Sequence, residues 1–256
     1  MKLATWNVNS LRVRLPQVLD WAGRHRPDVL CLQETKLEDA NFPSRVIAEA
    51  GYQVLCSGQR TYNGVAILSL AAGADCAVGI ADYEDAQKRV IAASVDGVRV
   101  VCAYVPNGEN VESDKYQYKL KWLAAFHGWL ATELARYPRL AVLGDFNIAP
   151  ENRDVYDPKA WEGQVLFSEP ERAAFGRLIG LGLKDTFRLF EQPDRSFTWW
   201  DYRMNSFRRK LGLRIDHILL SQELARQCAS CTIDVEPRRN ERPSDHAPVI
   251  AELNLN

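Results

Sequence analysis

Short apolar runs recur along the whole chain and alternate with segments of helical periodicity. A short apolar run bounded by turn residues predicts a buried strand, and apolar residues spaced three or four apart predict an amphipathic helix. We predict strands at residues 2–6, 28–32, 64–68, 98–105, 140–143, 215–220 and 249–253. We predict helices over residues 116–136 and 171–181, and a first helix that has Ser10 as its N-cap and Pro16 in its first turn.

The predicted strands are too numerous for each to be followed by its own helix. One helix per strand would be typical of a simple doubly wound sheet. Two sheets packed face to face, with helices on the outside, accommodate the pattern better. No long linker, low-complexity run or internal repeat interrupts the alternation. The pattern therefore predicts a mixed α/β fold built on two packed sheets.

The composition is that of a globular protein with a sizeable core. The chain has 256 residues, of which 46% are hydrophobic and 25% are charged. No apolar run is long enough to cross a membrane, and residues 1–7 do not read as a secretory signal, so we expect a cytoplasmic protein. The net charge of −1 excludes a globally basic nucleic-acid coat protein, but it leaves room for a local basic face.

The six cysteines are expected to be reduced thiols. Cys31 and Cys102 lie inside apolar runs and are predicted to be small core residues. Cys228 and Cys231 have the C-x-x-C spacing of a redox motif or of half a zinc site. No second pair of cysteines or histidines follows to complete four zinc ligands, so we interpret this spacing as incidental.

Polar residues follow the predicted strands at the points where the strands end. Each taken alone has an ordinary structural explanation, because Asp, Asn and Gly are common turn residues and a lone histidine is often buried for packing. Strand ends at one edge of a sheet converge in space, and functional groups are commonly mounted there. We therefore expect these groups to meet in one site. They are Asn7, Gln33, Glu34, Tyr104, Asp145, Asn147, Asp245 and His246.

The residue types in this set suit hydrolysis assisted by a hard metal ion. Carboxylate and amide oxygens favour Mg²⁺ or Mn²⁺ over Zn²⁺. The chain has no P-loop motif, no dinucleotide-binding glycine motif and no G-x-S-x-G, which weighs against three other enzyme classes. A cation beside a histidine and an aspartate suits attack of water on a phosphodiester, with the histidine donating to phosphate and the aspartate orienting or deprotonating the water.

Seven motifs, each weak alone, closely resemble in their order the bacterial exonuclease III / abasic-site endonuclease family of the endonuclease–exonuclease–phosphatase superfamily. They lie at residues 5–10, 32–36, 63–66, 104–108, 144–147, 212–216 and 244–248. The resemblance implies a four-layered α/β sandwich in one domain over residues 1–256, with two mixed sheets flanked by helices. It also implies a Mg²⁺-dependent phosphodiesterase, with Mn²⁺ as the alternative ion, that acts on duplex DNA.

The same resemblance assigns roles to the polar residues. It makes Glu34 the main metal ligand, helped by Asn7 and Asp245. It makes Asp145 the residue that orients and deprotonates the attacking water, with Asn147 beside it. The remaining catalytic assignments are His246 on the phosphate, Asp216 orienting that histidine and Tyr104 near the scissile phosphate. The implied metal-binding set is Asn7, Glu34, Asp145, Asn147, Asp245 and His246. The number of ions, and whether Tyr104 acts chemically, stay open.

A basic and aromatic segment near the C-terminus predicts a DNA contact. Six basic residues and one acidic residue lie between Arg195 and Arg214, interleaved with five aromatic rings. Such a segment suits phosphate contacts with stacking or a wedge against bases, whereas the alternative is a solvated loop with some rings in the core. By resemblance, Trp199, Trp200 and Ile215 form a pocket for an extruded abasic sugar, and Arg203 enters the minor groove. The other predicted DNA contacts are Asn107, Arg208 and Arg209.

Together these features predict a monomeric DNA-repair enzyme that does not act at membranes. Its expected substrates are double-stranded DNA with abasic sites or blocked 3′ ends, which it would incise 5′ to the lesion, clean or degrade 3′→5′. One alternative is a phosphatase or phosphodiesterase of the same superfamily that acts on nucleotides or lipids, which the basic-aromatic segment disfavours. A second is a catalytically inactive DNA-binding module, which the presence of Glu34, Asp145 and His246 disfavours.

Overall fold

The computed structural model describes residues 1–255, which form two six-stranded sheets with helices outside them. The strands are β1 (Lys2–Asn7), β2 (Val29–Gln33), β3 (Gln53–Ser57), β4 (Val65–Ser69), β5 (Ala74–Val78), β6 (Val90–Val95), β7 (Val98–Tyr104), β8 (Leu140–Asp145), β9 (Lys184–Asp185), β10 (Asp216–Leu220), β11 (Cys228–Ile233) and β12 (Val249–Leu253). The α-helices are α1 (Leu11–His25), α2 (Ser44–Glu49), α3 (Asp114–Arg136), α4 (Pro158–Trp161), α5 (Glu169–Gly180) and α6 (Gln222–Ala225). Short 3-10 helices lie at Asp39–Asn41, Asn152–Asp154, Thr186–Leu189, Arg203–Asn205 and Glu236–Arg239.

Each sheet is mixed. The first has the order β11-β12-β1-β2-β4-β3, and the second has the order β5-β6-β7-β8-β10-β9. A central parallel pair stands in each sheet, β1 with β2 and β7 with β8, and the neighbouring strands run antiparallel. The carboxyl ends of the parallel strands and the amino ends of β10 and β12 therefore lie at the same edge of the molecule.

Alternation along the strands produces four layers. Side chains such as Leu3 and Val100 point between the sheets and form the central core. The opposite face of the first sheet packs against α1, where Trp6 lies beside Trp21. The outer face of the second sheet packs against α3 and α5. Because side chains alternate between faces along a strand, both sheets are buried on both sides, which confirms the predicted α/β sandwich.

All the predicted strands are present, but β3, β5, β6, β9 and β11 were not predicted. α1 starts directly after Ser10 as expected, yet the Ser10 side chain does not cap it, because Ser10 has a φ of 92°. Pro16 lies inside the helix instead of in its first turn. The two C-terminal predicted helices match α3 and α5 closely.

Both cysteines predicted to lie in the core do so. Cys31 and Cys102 are buried, and all six cysteines are free thiols. Cys228 and Cys231 lie on β11, and the one group of potential metal ligands found within residues 1–255 is elsewhere in the molecule. None of the helices in the described part of the chain is both long and apolar enough to span a membrane.

Candidate active site

The polar residues at the strand ends converge, as the sequence predicts. Asn7 ends β1, Glu34 follows β2, and Tyr104 ends β7. Tyr104 and Asp145 are register partners on the parallel strands β7 and β8. Asp216, at the start of β10, faces Asp145 across the antiparallel pair. Five strands of both sheets, counting β8 and β10, therefore deliver side chains to one edge of the sandwich.

The side-chain amide of Asn7 bridges two carboxylates at the centre of this site. Its Nδ2 donates to Glu34 Oε1 at 2.9 Å and to Asp145 Oδ2 at 2.8 Å. Its Oδ1 accepts from the backbone N–H of Asn9 at 3.0 Å, which fixes the orientation of the amide. Asn7 is fully buried, so this arrangement holds one carboxylate from each sheet at a defined spacing.

The centre of the site has the donor set of a metal site. The Glu34 and Asp145 carboxylates offer ligand oxygens, and one oxygen of each and a ring nitrogen of His246 lie within 4.8 Å of one another. Two carboxylates held close together in a buried place repel each other unless a cation lies between them. Oxygen ligands of this kind match hard divalent ions. The residues therefore fit a divalent metal ion.

His246 is held between two aspartates. Its Nδ1 lies 2.8 Å from Asp216 Oδ2, and its Nε2 lies 3.8 Å from Asp145 Oδ2. Burial alone would lower the pKa of His246, but the carboxylates of Asp216 and Asp145 raise it to about 10. His246 is therefore a cation at neutral pH, with its Nε2–H directed into the site. The segment that carries it is tied to β1, because Ser244 Oγ donates to the Asn7 carbonyl at 2.6 Å.

Asp145 is a carboxylate with an elevated proton affinity. Burial raises the pKa of Asp145 to about 7, against the opposing effect of the His246 cation. The neighbouring Asn147 backbone N–H donates to Asp145 Oδ1 at 2.8 Å, and the Asn147 side-chain amide donates to Asp145 Oδ2 at 3.2 Å. Asn147 adopts a φ of 49°, a left-handed conformation that asparagine tolerates, and this turn directs its side chain back toward Asp145.

Tyr104 is a neutral phenol in the site wall. Burial, together with the carboxylates of Glu34 and Asp145, raises its pKa well above the usual value. The guanidinium of Arg89 lies 4.7 Å from the centre of its ring and donates to its carbonyl at 3.1 Å. Arg89 therefore contacts both the ring and the backbone of Tyr104, and at neutral pH the phenol can donate a hydrogen bond.

Asp245 lies next to the metal-ligand group but not in it. Its Oδ1 accepts from Asn9 Nδ2 at 2.9 Å, and its Oδ2 accepts from Trp199 Nε1 at 3.0 Å. Lys36 Nζ donates to Asn9 Oδ1 at 2.5 Å and pairs with Glu34 Oε2 at 3.0 Å. Neither Asn9 nor Lys36 was predicted to be a site residue, although the sequence offered Lys36 as a surface partner for Glu34. Only the tertiary structure brings them between the two acidic groups.

The three residues predicted to form a sugar pocket differ in accessibility. Ile215 and Trp200 are buried, whereas Trp199 is half-buried and contacts Asp245. Ile215 belongs to an apolar cluster with Leu166 and Phe167, against which Trp199 packs. Trp200 packs in a separate cluster with Phe197 and Ala247. The structure thus places Trp199 and Ile215 together, whereas Trp200 lies in a different cluster and not with them as predicted.

The basic-aromatic segment forms an exposed loop beside the site. Arg203, Arg208 and Arg209 are exposed, and Arg203 pairs only with Asp201. The loop is anchored to the segment before His246, because the Tyr202 hydroxyl donates to the Pro243 carbonyl at 2.8 Å. Arg214 differs from the other basic residues of the segment.

The Arg214 side chain is 1% exposed and belongs to the interior. It donates to Asp154 Oδ1 and to Asp185 Oδ2, each at 2.7 Å. Counting Arg214 with the basic face was therefore wrong, because two buried carboxylates take up its charge.

Asn107 lies on the other side of the site, where a cavity of about 750 Å³ opens beside Tyr104. Its Nδ2 donates to Asn147 Oδ1 at 3.0 Å, which links the two loops. Tyr62, Arg89 and Lys115 also line this cavity. Tyr62 and Arg89 come from separate loops and Lys115 from the first turn of α3, and none of the three carries a local sequence signal.

Known proteins are similar to this chain over nearly its whole length. A profile described as the Endonuclease/Exonuclease/phosphatase family matches residues 4–246. Exodeoxyribonuclease III of Haemophilus influenzae is 37% identical over 266 aligned residues, covering 99% of this chain and 100% of the relative. The structure of a 3′ phosphatase from Neisseria bound to a product DNA hairpin is 47% identical, covers 100% of both chains and has a TM-score of 0.98. An AP endonuclease from Archaeoglobus fulgidus is 39% identical, with 100% of both chains covered and a TM-score of 0.96.

These similarities confirm the resemblance seen in the sequence motifs, and they extend from the first strand to the segment that carries His246. The chain therefore belongs to the endonuclease/exonuclease/phosphatase family and, within it, to the exodeoxyribonuclease III type of nuclease.

Proposed function

We propose that this protein is a Mg²⁺-dependent repair phosphodiesterase for double-stranded DNA. It incises DNA 5′ to abasic sites, removes blocking groups from 3′ ends and degrades one strand in the 3′→5′ direction. The observation that carries this proposal is the placement of Glu34, Asp145 and His246 within 4.8 Å of one another, at the edge that also carries the exposed basic loop. A relative that is a 3′ phosphatase with bound DNA and one that is an AP endonuclease support it.

Glu34 and Asp145, with Asn7 between them, would hold the ion in this mechanism. Asn147, Asp245 and His246 complete the proposed surroundings of the ion, with Asp245 acting through Asn9. Bound there, a Mg²⁺ ion would supply positive charge that stabilises the negative charge developing during phosphodiester hydrolysis. Mn²⁺ satisfies the same oxygen donors and is the alternative ion.

The protein's own groups supply the proton chemistry. The Asp145 carboxylate acts as the general base and takes a proton from the attacking water. The water oxygen forms a bond to phosphorus as the bond from phosphorus to the 3′ oxygen breaks, and the departing 3′ oxygen takes a proton from solvent to become a 3′-hydroxyl. His246 donates a hydrogen bond to a non-bridging phosphate oxygen, and Asp216 holds the imidazolium in place. Tyr104 lies near the same phosphate, where its phenolic O–H donates a hydrogen bond to a phosphate oxygen.

Substrate recognition is divided between two sides of the site. Arg203, Arg208 and Arg209 bind phosphates of the duplex on one side, and Asn107 binds backbone phosphate on the other. Trp199 and Ile215, which pack together, line the pocket for an extruded abasic sugar. A nucleotide that lacks its base is easier to extrude, so such a pocket favours abasic sites.

A duplex cleavage assay tests the proposal. One duplex carries a single tetrahydrofuran abasic mimic and a second carries a 3′-phosphate, each incubated with Mg²⁺ or with EDTA. We expect a strand break 5′ to the mimic and release of phosphate from the second duplex, both only with Mg²⁺. Hydrolysis of a phosphoinositide, a sphingolipid or a free nucleotide, without cleavage of either duplex, would favour the alternative substrate classes of the superfamily.

We also propose that the protein is a single domain and a monomer. Residues 1–256 act as one domain, because the site takes side chains from both sheets and from both ends of the chain. We propose a monomer that works in the cytoplasm on duplex DNA. Light scattering of the protein with and without a duplex tests the monomeric state.

A further inference from the structure

Beneath the site lies a buried ion pair for which the proposed mechanism has no role. Lys119, on α3, and Glu171, on α5, have side chains that are 0% exposed, and their charged ends are in direct contact. Burial lowers the pKa of Lys119, and the adjacent Glu171 carboxylate opposes that effect. Burying two charges is costly, and a buried pair is weak evidence for stability in itself. A specific task for the pair is therefore worth seeking.

The contacts of Lys119 lead directly to the site. Its ammonium donates to the carbonyl of Asn147 at 2.7 Å and to the carbonyl of Asn107 at 3.0 Å. One charged group thus holds the backbone of two loops whose side chains are hydrogen-bonded to each other. The Asn107 loop also packs closely on the lysine stem, because a Cβ on Gly108 would come within 3.2 Å of Lys119 Cδ.

The contacts of Glu171 lead to a third loop. Its Oε1 accepts from the backbone N–H of Leu166 at 3.0 Å, and its Oε2 accepts from the backbone N–H of Ser168 at 3.1 Å. Leu166 packs with Ile215 in the apolar cluster that borders Trp199. The ion pair is therefore the point at which the Asn107 loop, the Asn147 turn and the Leu166 loop are joined.

We propose that the Lys119–Glu171 ion pair is a positioning element of the active site, which holds the Asn107 and Asn147 loops in their reactive geometry. The inference rests on the proposed function. The Lys119 side chain is fully buried, so it acts through the carbonyls of Asn107 and Asn147. The ammonium favours the left-handed turn at Asn147, which directs the side-chain amide toward Asp145. A shift of about 1 Å in such a group is enough to lower a rate by about 100-fold.

The same helix offers a matched control. Glu133, near the far end of α3, forms another buried ion pair with Arg99, at 2.7 Å and with side chains that are 9% and 2% exposed. This pair also spans α3 and a neighbouring element, but it lies at the opposite end of the second sheet. Arg99→Met should therefore cost stability as Lys119→Met does, without reaching the active site.

The test is a double-mutant cycle on the 3′-phosphate duplex in single-turnover reactions. Lys119→Met is made in the wild type and in an Asn107→Ala, Asn147→Ala background. We expect kcat to fall about 100-fold in the wild type and by no more than about twofold in the double-alanine background. Arg99→Met should lower the melting temperature and leave kcat unchanged. An equal loss in both backgrounds, or an equal loss from Arg99→Met, overturns the proposal.

A second measurement does not depend on DNA cleavage. Amide hydrogen exchange of the loops at residues 105–110 and 146–149 should accelerate in Lys119→Met and stay at the wild-type rate in Arg99→Met; unchanged exchange in Lys119→Met overturns the proposal. If the wild type cleaves no duplex, the proposed function fails while this exchange result still decides the positioning role. If Lys119→Met does not fold, Glu171→Gln takes its place in both experiments, with Glu133→Gln as its control.

Discussion

His246 Nδ1 lies 2.8 Å from Asp216 Oδ2, and both side chains are buried at the edge where the two sheets meet. The two residues are 30 positions apart in the sequence, on β10 and on the segment before β12. This contact keeps His246 protonated and sets the direction in which its Nε2–H points. It therefore decides whether a phosphate in the site meets a cation or a neutral ring.

Asp216→Asn should remove most of the activity and change its pH dependence. Without the Asp216 charge, the pKa of His246 falls from its value of about 10, so the histidine loses its proton at a lower pH. We expect kcat to drop on the order of 10²- to 10⁴-fold, and the alkaline limb of the kcat profile to move to lower pH. Single-turnover rates between pH 6 and 10 measure both. A profile of unchanged shape would show that Asp216 does not control the histidine.

Asp145→Asn should abolish turnover while preserving DNA binding. The substitution keeps the shape of the side chain but removes the base that accepts a proton from water. A group that acts mainly in the transition state affects kcat far more than binding. We expect a loss of at least about 10³-fold in kcat and a change of less than about threefold in the Kd for a tetrahydrofuran duplex. Fluorescence anisotropy gives the Kd, and a parallel loss of affinity would contradict the assignment.

Replacing Arg203, Arg208 and Arg209 with alanine should weaken the salt dependence of DNA binding. Removing one phosphate-binding cation lowers the slope of log Kd against log salt concentration by about 0.9. We therefore expect the slope of the triple variant to be smaller by roughly two to three units. Arg24→Ala combined with Arg45→Ala serves as the control, since these exposed arginines lie on α1 and α2, away from the site. An unchanged slope in the triple variant would show that the arginines of this loop do not bind DNA phosphates.

His217 should make the protein sensitive to mild acid. Burial beside Arg214 lowers its pKa to about 4. Its contacts with Arg214 Nη1 at 3.0 Å and the Ile148 carbonyl at 2.9 Å fit the neutral ring, with Nδ1 accepting and Nε2–H donating. The unfolded histidine takes up a proton near pH 6.5, whereas the folded one takes it up only near pH 4. The stability that the protein has above pH 6.5 is therefore lost as the pH falls from about 6.5 to about 4.

Urea unfolding of the wild type and of His217→Gln at pH 7 and at pH 4.5 measures this effect. Glutamine can make both hydrogen bonds but does not titrate. We expect the wild type to lose about 2 kcal/mol more stability than the variant between the two pH values. Equal losses in the two proteins would show that the ring does not remain neutral in the folded state.

The strand ends were the part of the site that the sequence could predict. Asn7, Glu34, Asp145 and His246 each follow or precede an apolar run, and two packed sheets bring such ends together. Four of the five missed strands, β3, β5, β9 and β11, lie at sheet edges. Most residues of β5 are exposed, and β9 has only two residues. The fifth, β6, is a buried inner strand whose apolar run at Val90–Val95 was overlooked. Local signals are faint at a sheet edge, where packing on only one neighbour selects the residues.

Long-range contacts could not be derived from the sequence. Arg214 reads as one more basic residue of a DNA-binding segment until Asp154 and Asp185, which lie 60 and 29 positions away, enclose it. Lys119 reads as a surface position on a long helix until the Asn107 and Asn147 loops fold over it. In both cases the role depends on which remote carboxylate neutralises a buried charge, and no local pattern encodes that partner.

The metal dependence of single-turnover cleavage tests the central claim most directly. Protein freed of metal with EDTA is titrated with Mg²⁺, and release of phosphate from the 3′-phosphate duplex is followed for the wild type and for Glu34→Gln. We predict no cleavage without the ion, saturable recovery in the wild type, and a midpoint shifted to at least about tenfold higher Mg²⁺ in Glu34→Gln. Cleavage at the wild-type rate in EDTA, or identical titrations for the two proteins, would contradict a metal-assisted site built on Glu34.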